Sequence, residues 1–182
     1  MTNKIAFDYS MTTPAMAIGP DGTWANTKVW FLSDKKKHDD IFLKGKIIGS
    51  QHFDWFSPEQ RHDNISNHFI RIASKEAANC EATIEDYSMG SKGKVFHIGE
   101  NTGLLKHKLW TRDHKLILVP PTVLKKFATG KGNADKLQMH EAFVKETGET
   151  LEALGKPGTN PSSDIIDAYF LLKYAFTIKV EK

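Results

Sequence analysis

Residues 4–32, KIAFDYSMTTPAMAIGPDGTWANTKVWFL, set the organisation of the whole chain. The β-branched and aromatic run at 4–10, interrupted by Asp8, reads as a first strand. A turn at 11–14 leads into a second short strand at 15–18. Gly19-Pro20-Asp21-Gly22 is a strong turn signal, and 25–32 closes a three-stranded antiparallel meander. Asp8 is the unusual residue. An acid inside a core-type strand is tolerated at a sheet edge facing water, or it is held there by a partner.

Working outward, residues 33–57 are polar and rich in Lys and His, with Phe53, Trp55 and Phe56, and read as a loop insertion. Ser57-Pro58-Glu59-Gln60 is a helix start with Ser as N-cap. The helix is predicted to run to residue 78, with Ile65, Phe69, Ile72 and Ala73 on its apolar face. ATIEDY at 82–87 is the next strand. Side chains alternate along it, so Glu85 and Asp86 point to opposite faces and only one can join Asp8. A helix over 97–110 carries Gly99 and Gly103, a spacing that admits close approach of another helix, including one from a second subunit.

LILV at 116–119 reads as a buried parallel strand. Pro120-Pro121 opens a helix through residue 127 that bears Lys125 and Lys126, and ATGKGNAD at 128–135 is a Gly-rich loop. The loop lacks GxxxxGK[ST] and so is no P-loop, although its Gly and Lys residues suit backbone approach to a phosphate. A helix over 134–147 and a linker at 155–163 lead to the last helix, PSSDIIDAYFLLKYA at 161–175, with Ser162 or Ser163 as N-cap. The order βββ-α-β-α-β-α-α-α predicts a single α/β domain over 1–182. Its five-stranded mixed sheet, three antiparallel strands and then parallel ones, is flanked by helices.

The 182 residues have 25 Lys and Arg against 22 Asp and Glu, a net charge of +3. That balance is compatible with nucleic acid and does not require it. A single cysteine, Cys80, excludes an internal disulfide framework and fits a reducing compartment. The eight histidines show no HExxH or comparable zinc spacing. No apolar run approaches membrane-spanning length and no secretory signal is present, so an intracellular protein is expected.

Asp164 and Asp167 lie three apart on an otherwise apolar helix and share one of its faces. Acids in a first turn are favoured by the helix dipole alone. That account does not reach Asp8 and Glu85, each set in a core-like strand. Adjacent carboxylates repel unless a cation sits among them, and this many hard oxygen donors suit Mg²⁺ or Mn²⁺. Two such ions can activate a water and stabilise the leaving oxygen of a phosphoryl displacement.

IAFDYSMTTPAMAI, ATIEDYSMG, LKKFATGKGNADK and SSDIIDAYFLL, in this order and spacing, resemble the RuvC-type Holliday junction resolvases, especially their small phage-encoded branch. The resemblance covers nearly the whole chain apart from 33–57. It implies an RNase H-like fold and a homodimer that cuts four-way DNA junctions in a bacterial or phage-infected cytoplasm. Paired nicks would leave 5′-phosphate and 3′-hydroxyl ends, with two Mg²⁺ per site for which Mn²⁺ substitutes. It further implies Asp8, Glu85, Asp164 and Asp167 as metal ligands and Lys136 as a catalytic cation. Lys125, Lys126, Lys131, Lys92, Lys94 and Tyr87 would contact DNA. The family's wedge aromatic just after the strand Glu is Ser88 here, with Tyr87 and Met89 on either side.

Related nucleases acting on flaps, forks or RNA–DNA hybrids, and a non-catalytic junction-binding protein, are the competing expectations. An actin-like ATPase needs a duplicated domain and a phosphate-loop glycine after Asp8, where this chain has Tyr9-Ser10.

Overall fold

The computed structural model describes residues 2–87 and 95–178. Its strands are β1 (Lys4–Asp8), β2 (Ala15–Gly19), β3 (Lys28–Ser33), β4 (Ile41–Leu43), β5 (Ile47–Gln51), β6 (Glu81–Glu85) and β7 (Lys115–Val119). The helices are α1 (Pro58–Glu76), α2 (Val95–Trp110), α3 (Pro121–Thr129), α4 (Lys136–Thr147) and α5 (Ser162–Ala175). All seven strands form one mixed sheet in the order β4-β5-β3-β2-β1-β6-β7. The opening meander is antiparallel, and β6 and β7 run parallel to β1 on its other side.

Two strands exceed the five expected, and both come from 33–57. This segment is a hairpin that widens the sheet instead of a loop. Ile41-Phe42-Leu43 and Ile47-Ile48 are too short to stand out, and of the three residues joining them, Lys44, Gly45 and Lys46, the first two are at positive φ (51° and 71°). Such a turn suits a tight hairpin, but lysine seldom announces it. β5 then pairs parallel with β3. At Gly49 there is no room for a side chain, since a Cβ would lie 2.6 Å from the His38 carbonyl oxygen and 2.7 Å from the Phe31 ring. Gly49→Ala is therefore expected to destabilise the fold by about 2–3 kcal/mol, read as a lower denaturation midpoint.

Each sheet face has its own core. On one, Ile5, Phe7, Met16, Ile18, Leu32 and Ile84 pack against Ile65, Phe69 and Ala73 of α1 and Leu105 and Leu109 of α2. On the other, Ala6, Ala15, Ala17, Val29 and Phe31 pack against α5 and, with it, Phe143 of α4 and Leu124 of α3. Helix α5 lies between the sheet and these two helices, which is why a segment apolar on nearly all sides is stable there.

Smaller corrections follow from local chemistry. Ser57 caps α1 as expected, accepting from the Gln60 N–H. Helix α5 instead begins after Pro161, because the Ser162 and Ser163 hydroxyls donate backward to the Thr159 carbonyl and Asn160 Oδ1 and cap no N–H. Strand β7 is parallel but lies at the sheet edge, leaving Leu118 40% exposed where a buried strand was expected. Helix α3 runs on to Thr129 and stops at Gly130, which is left-handed at φ 81°. Gly99 and Gly103 face open space, so no helix among the described residues uses the clearance they provide.

Candidate active site

The parallel register of β1 and β6 pairs Phe7 with Ile84, which brings Asp8 and Glu85 side by side at the C-terminal ends of adjacent strands. Cross-strand neighbours share a face, and theirs is the face of Ala6. Asp8 lies in the middle of the sheet, flanked by β2 and β6, and is only 8% exposed. The edge-strand account of Asp8 fails. Asp86 is not part of the group: its N–H donates to the Val119 carbonyl and its carboxylate accepts from the Tyr87 N–H.

Helix α5 crosses the same face. Ala6, Ala15 and Ala17 beneath it are small, which lets the helix come close. Its first turns bring Asp164, 5% exposed, and the half-buried Asp167 to the strand acids. A short polar chain fixes Asp164. The Thr13 hydroxyl, in the β1–β2 turn, donates to Asp164 Oδ2. Asn160 Nδ2 donates to Thr13 Oγ1 at 2.8 Å, and Asn160 Oδ1 accepts from Lys136 Nζ at 2.8 Å. Lys136 also reaches Ser163 Oγ at 3.2 Å. Lys136 is the first residue of α4, where Asp135 and Gln138 form a reciprocal capping box.

The four carboxyls act on one another. Burial, then repulsion from Asp164, Glu85 and Asp167, holds the pKa of Asp8 well above the ordinary value, against a downward pull from Lys136. Burial raises Asp167 to about 8, with Glu85 and Asp164 adding to the rise and Lys136 and Lys125 opposing it. Glu85 goes to about 7, again chiefly through burial, with Lys125 the strongest counterweight. Asp164 is raised by burial and held back by its hydrogen bond from Thr13 and by Lys136.

These shifts set a pH dependence. In a chelating buffer the folded protein retains protons on Asp167 and Glu85 that the unfolded chain has released by about pH 5. Stability should therefore be highest below about pH 4 to 5 for these groups and fall as pH rises toward 8. Asp167→Asn should flatten that fall. Thermal denaturation between pH 5 and 8.5 checks both, and a melting temperature that climbs with pH across this window contradicts the assignment.

Of the other expected residues, Lys125 on α3 is half-buried and acts on Glu85 and Asp167. Lys126 and Lys131 are exposed, and neither figures among the charges acting on the acids. Tyr87 is 37% exposed beneath the Lys106 ammonium, 5.3 Å from its ring centre. Lys92, Lys94, Ser88 and Met89 lie outside the described residues. Thr13, Asn160 and Ser163 belong to the site and were missed by sequence reasoning. Each is an ordinary turn or linker residue in the sequence, and only the fold brings it to Asp164.

Among the described residues, no group of three or more His, Cys, Asp or Glu side chains is arranged to hold a metal ion as it stands. No helix among them is long and apolar enough to cross a membrane.

A mixed sheet opening on an antiparallel meander and flanked by helices is consistent with the RNase H-like fold class. Within that class the chain has the RuvC-type fold. Thermus thermophilus RuvC superposes with a TM-score of 0.61 at 14% identity, over 96% of this chain and 94% of that one. T. thermophilus RuvC in complex with a Holliday junction substrate gives 0.65 at 12% identity, covering 97% and 94%. The yeast mitochondrial Holliday junction resolvase Ydc2 gives 0.56 at 12% identity, covering 94% and 76%. No family model and no curated protein sequence matches the chain.

Proposed function

We propose that this protein is a structure-selective DNA endonuclease that resolves Holliday junctions by metal-dependent phosphodiester hydrolysis, leaving 5′-phosphate and 3′-hydroxyl ends. One observation carries the reading: Asp8 and Glu85, side by side at the ends of adjacent strands, lie beneath Asp164 and Asp167 of α5, where burial raises the pKa of all four. Such a pocket is unfavourable without a cation, and its all-oxygen donor set suits Mg²⁺, with Mn²⁺ as a substitute. Asp8, Glu85, Asp164 and Asp167 would hold two ions. When bound, the ions supply Lewis-acid stabilisation of the phosphate and a more acidic water.

The chain's own residues do the rest. Thr13 and Ser163 orient the Asp164 carboxylate. Asn160 and Ser163 aim the Lys136 ammonium toward the pocket, where it can neutralise charge developing on the phosphoryl oxygens. Lys125 stands by Glu85 as a second cation for the DNA strand, with Lys126, Lys131, Lys92 and Lys94 as outer backbone contacts and Tyr87 beside the fork. Paired nicks require two sites, so the working form is a homodimer. The exposed Phe96 and the open Gly99 and Gly103 on α2 support a helix-to-helix contact. An intracellular setting and kinship with the phage-encoded branch accompany this reading.

Strand-mapped cleavage in Mg²⁺ on matched four-way, forked, flapped and RNA–DNA hybrid substrates tests it. Symmetric paired nicks near a junction centre are expected. Scattered single nicks on every branched substrate would make the protein a general debranching nuclease, and binding without metal-dependent cutting would make it a junction-binding protein.

A further inference from the structure

The hairpin that widens the sheet ends in the segment 52–56, HFDWF, and this segment adjoins the acid pocket. His52 Nε2 is 2.9 Å from the Thr12 carbonyl oxygen, and Arg61 of α1 donates to the Met11 carbonyl at 2.9 Å. Met11 and Thr12 directly precede Thr13, whose hydroxyl holds Asp164. The segment is thus latched to the turn that carries part of the site.

Its side chains face outward. Phe53 is 52%, Trp55 44% and Phe56 92% exposed. Three aromatics in four residues, left in water, have no role in the core. The Arg61 guanidinium lies 5.1 Å from the Trp55 ring centre and steadies one face of the indole. Beside them is a cleft of about 430 Å³ lined by Asp34, His52, Phe53, Trp55 and Phe56. Phe53 also borders a second cleft of about 220 Å³ with Asn67, His68 and Arg71. His68 is 8% exposed there, and its buried Nδ1 has no hydrogen-bond partner.

The chemistry favours one occupant. Asp34 faces Arg61 at 3.8 Å and Asp54 lies within the aromatic run, so the charges set directly among the aromatics are nearly balanced. Exposed flat π-faces suit a stacked base. The exposed Lys35, Lys36 and Lys37 immediately after Asp34 provide cations for a backbone passing the rim. We infer that the 52–56 segment is a stacking site for unpaired nucleobases, with Trp55 and Phe56 as platforms and the cleft between Phe53 and His68 receiving a base edge. This rests on the proposed action on branched DNA, where strands near the crossover can be unpaired.

Fluorescence anisotropy with a labelled oligothymidylate, a matched duplex and a four-way junction tests it, comparing wild type with Trp55→Ala/Phe56→Ala. Circular dichroism and melting temperature should show the variant folded. Its affinity for the oligothymidylate should drop about 10–100-fold, with duplex affinity unchanged and Trp55→Phe restoring most of the loss. Equal binding of oligothymidylate by wild type and the double variant overturns the inference, while junction cutting by wild type would leave the proposed function intact. If wild type cuts no junction yet binds oligothymidylate through these residues, the stacking site stands and the resolvase reading falls. If the substitutions change only self-association measured by sedimentation, the patch is a protein contact and the inference is overturned.

Discussion

Asp8→Asn should stop strand cleavage, lowering kcat on a junction by at least about 10³-fold, equivalent to ~4 kcal/mol of lost barrier reduction. The asparagine keeps the size of the side chain and removes its charge. Asp8 stands at the centre of the pocket, with Glu85 on the neighbouring strand and Asp164 and Asp167 acting on it from α5. Junction binding should survive or strengthen, because one fewer negative charge repels the incoming phosphate. The chelated variant should also melt at a higher temperature than wild type near pH 8, since a mutually repelling carboxyl is gone. A variant that cuts at the wild-type rate would remove Asp8 from the chemistry.

Lys136→Ala should have the second largest effect, a fall in kcat of about 10²-fold with little change in junction affinity. Lys136 is held by Asn160 Oδ1 and Ser163 Oγ, and it lowers the pKa of Asp8, Glu85, Asp164 and Asp167 alike. Removing it should therefore push those carboxyls further up. The acid limb of the pH–rate profile should then move to higher pH, because ionised carboxylates are needed for turnover. Lys136→Arg should keep the limb near its original place while recovering only part of the rate, since a guanidinium cannot occupy the same two-acceptor cradle as an ammonium. A loss confined to affinity would make Lys136 a DNA-binding residue and nothing more.

The acid pocket was legible in the sequence because each of its carboxyls interrupts an apolar run. Asp8 breaks a strand, Glu85 ends one, and Asp164 and Asp167 mark a buried helix; an unexplained charge in each place is a signal that burial makes costly. Alternation alone left Glu85 and Asp86 open; the resemblance singled out Glu85, and the register of β6 against β1 supplies the physical reason. The hairpin of β4 and β5 was not legible. Its strands are three and five residues long, and its turn uses Lys44 where asparagine or aspartate would have marked it. Nor did LILV announce an edge position, since an apolar run reads the same whether one side or both are covered. Thr13 and Asn160 carry no pattern, and Ser163 read only as a helix cap. Their value lies in three-dimensional placement beside Asp164 and Lys136.

The Thr13–Asp164 hydrogen bond joins positions 151 residues apart, and Lys4 reaches the Ala175 carbonyl across 171. The pocket is closed by one of the first strands and the last helix of the sheet's partner layer. Helix α5 must therefore leave the ribosome before the four carboxyls can come together, and contacts of such separation form late because loop closure is entropically costly. A nascent or truncated chain would retain Asp8 and Glu85 without their helical counterparts. The order of synthesis thus withholds the full carboxyl set until α5 has emerged and docked on the sheet.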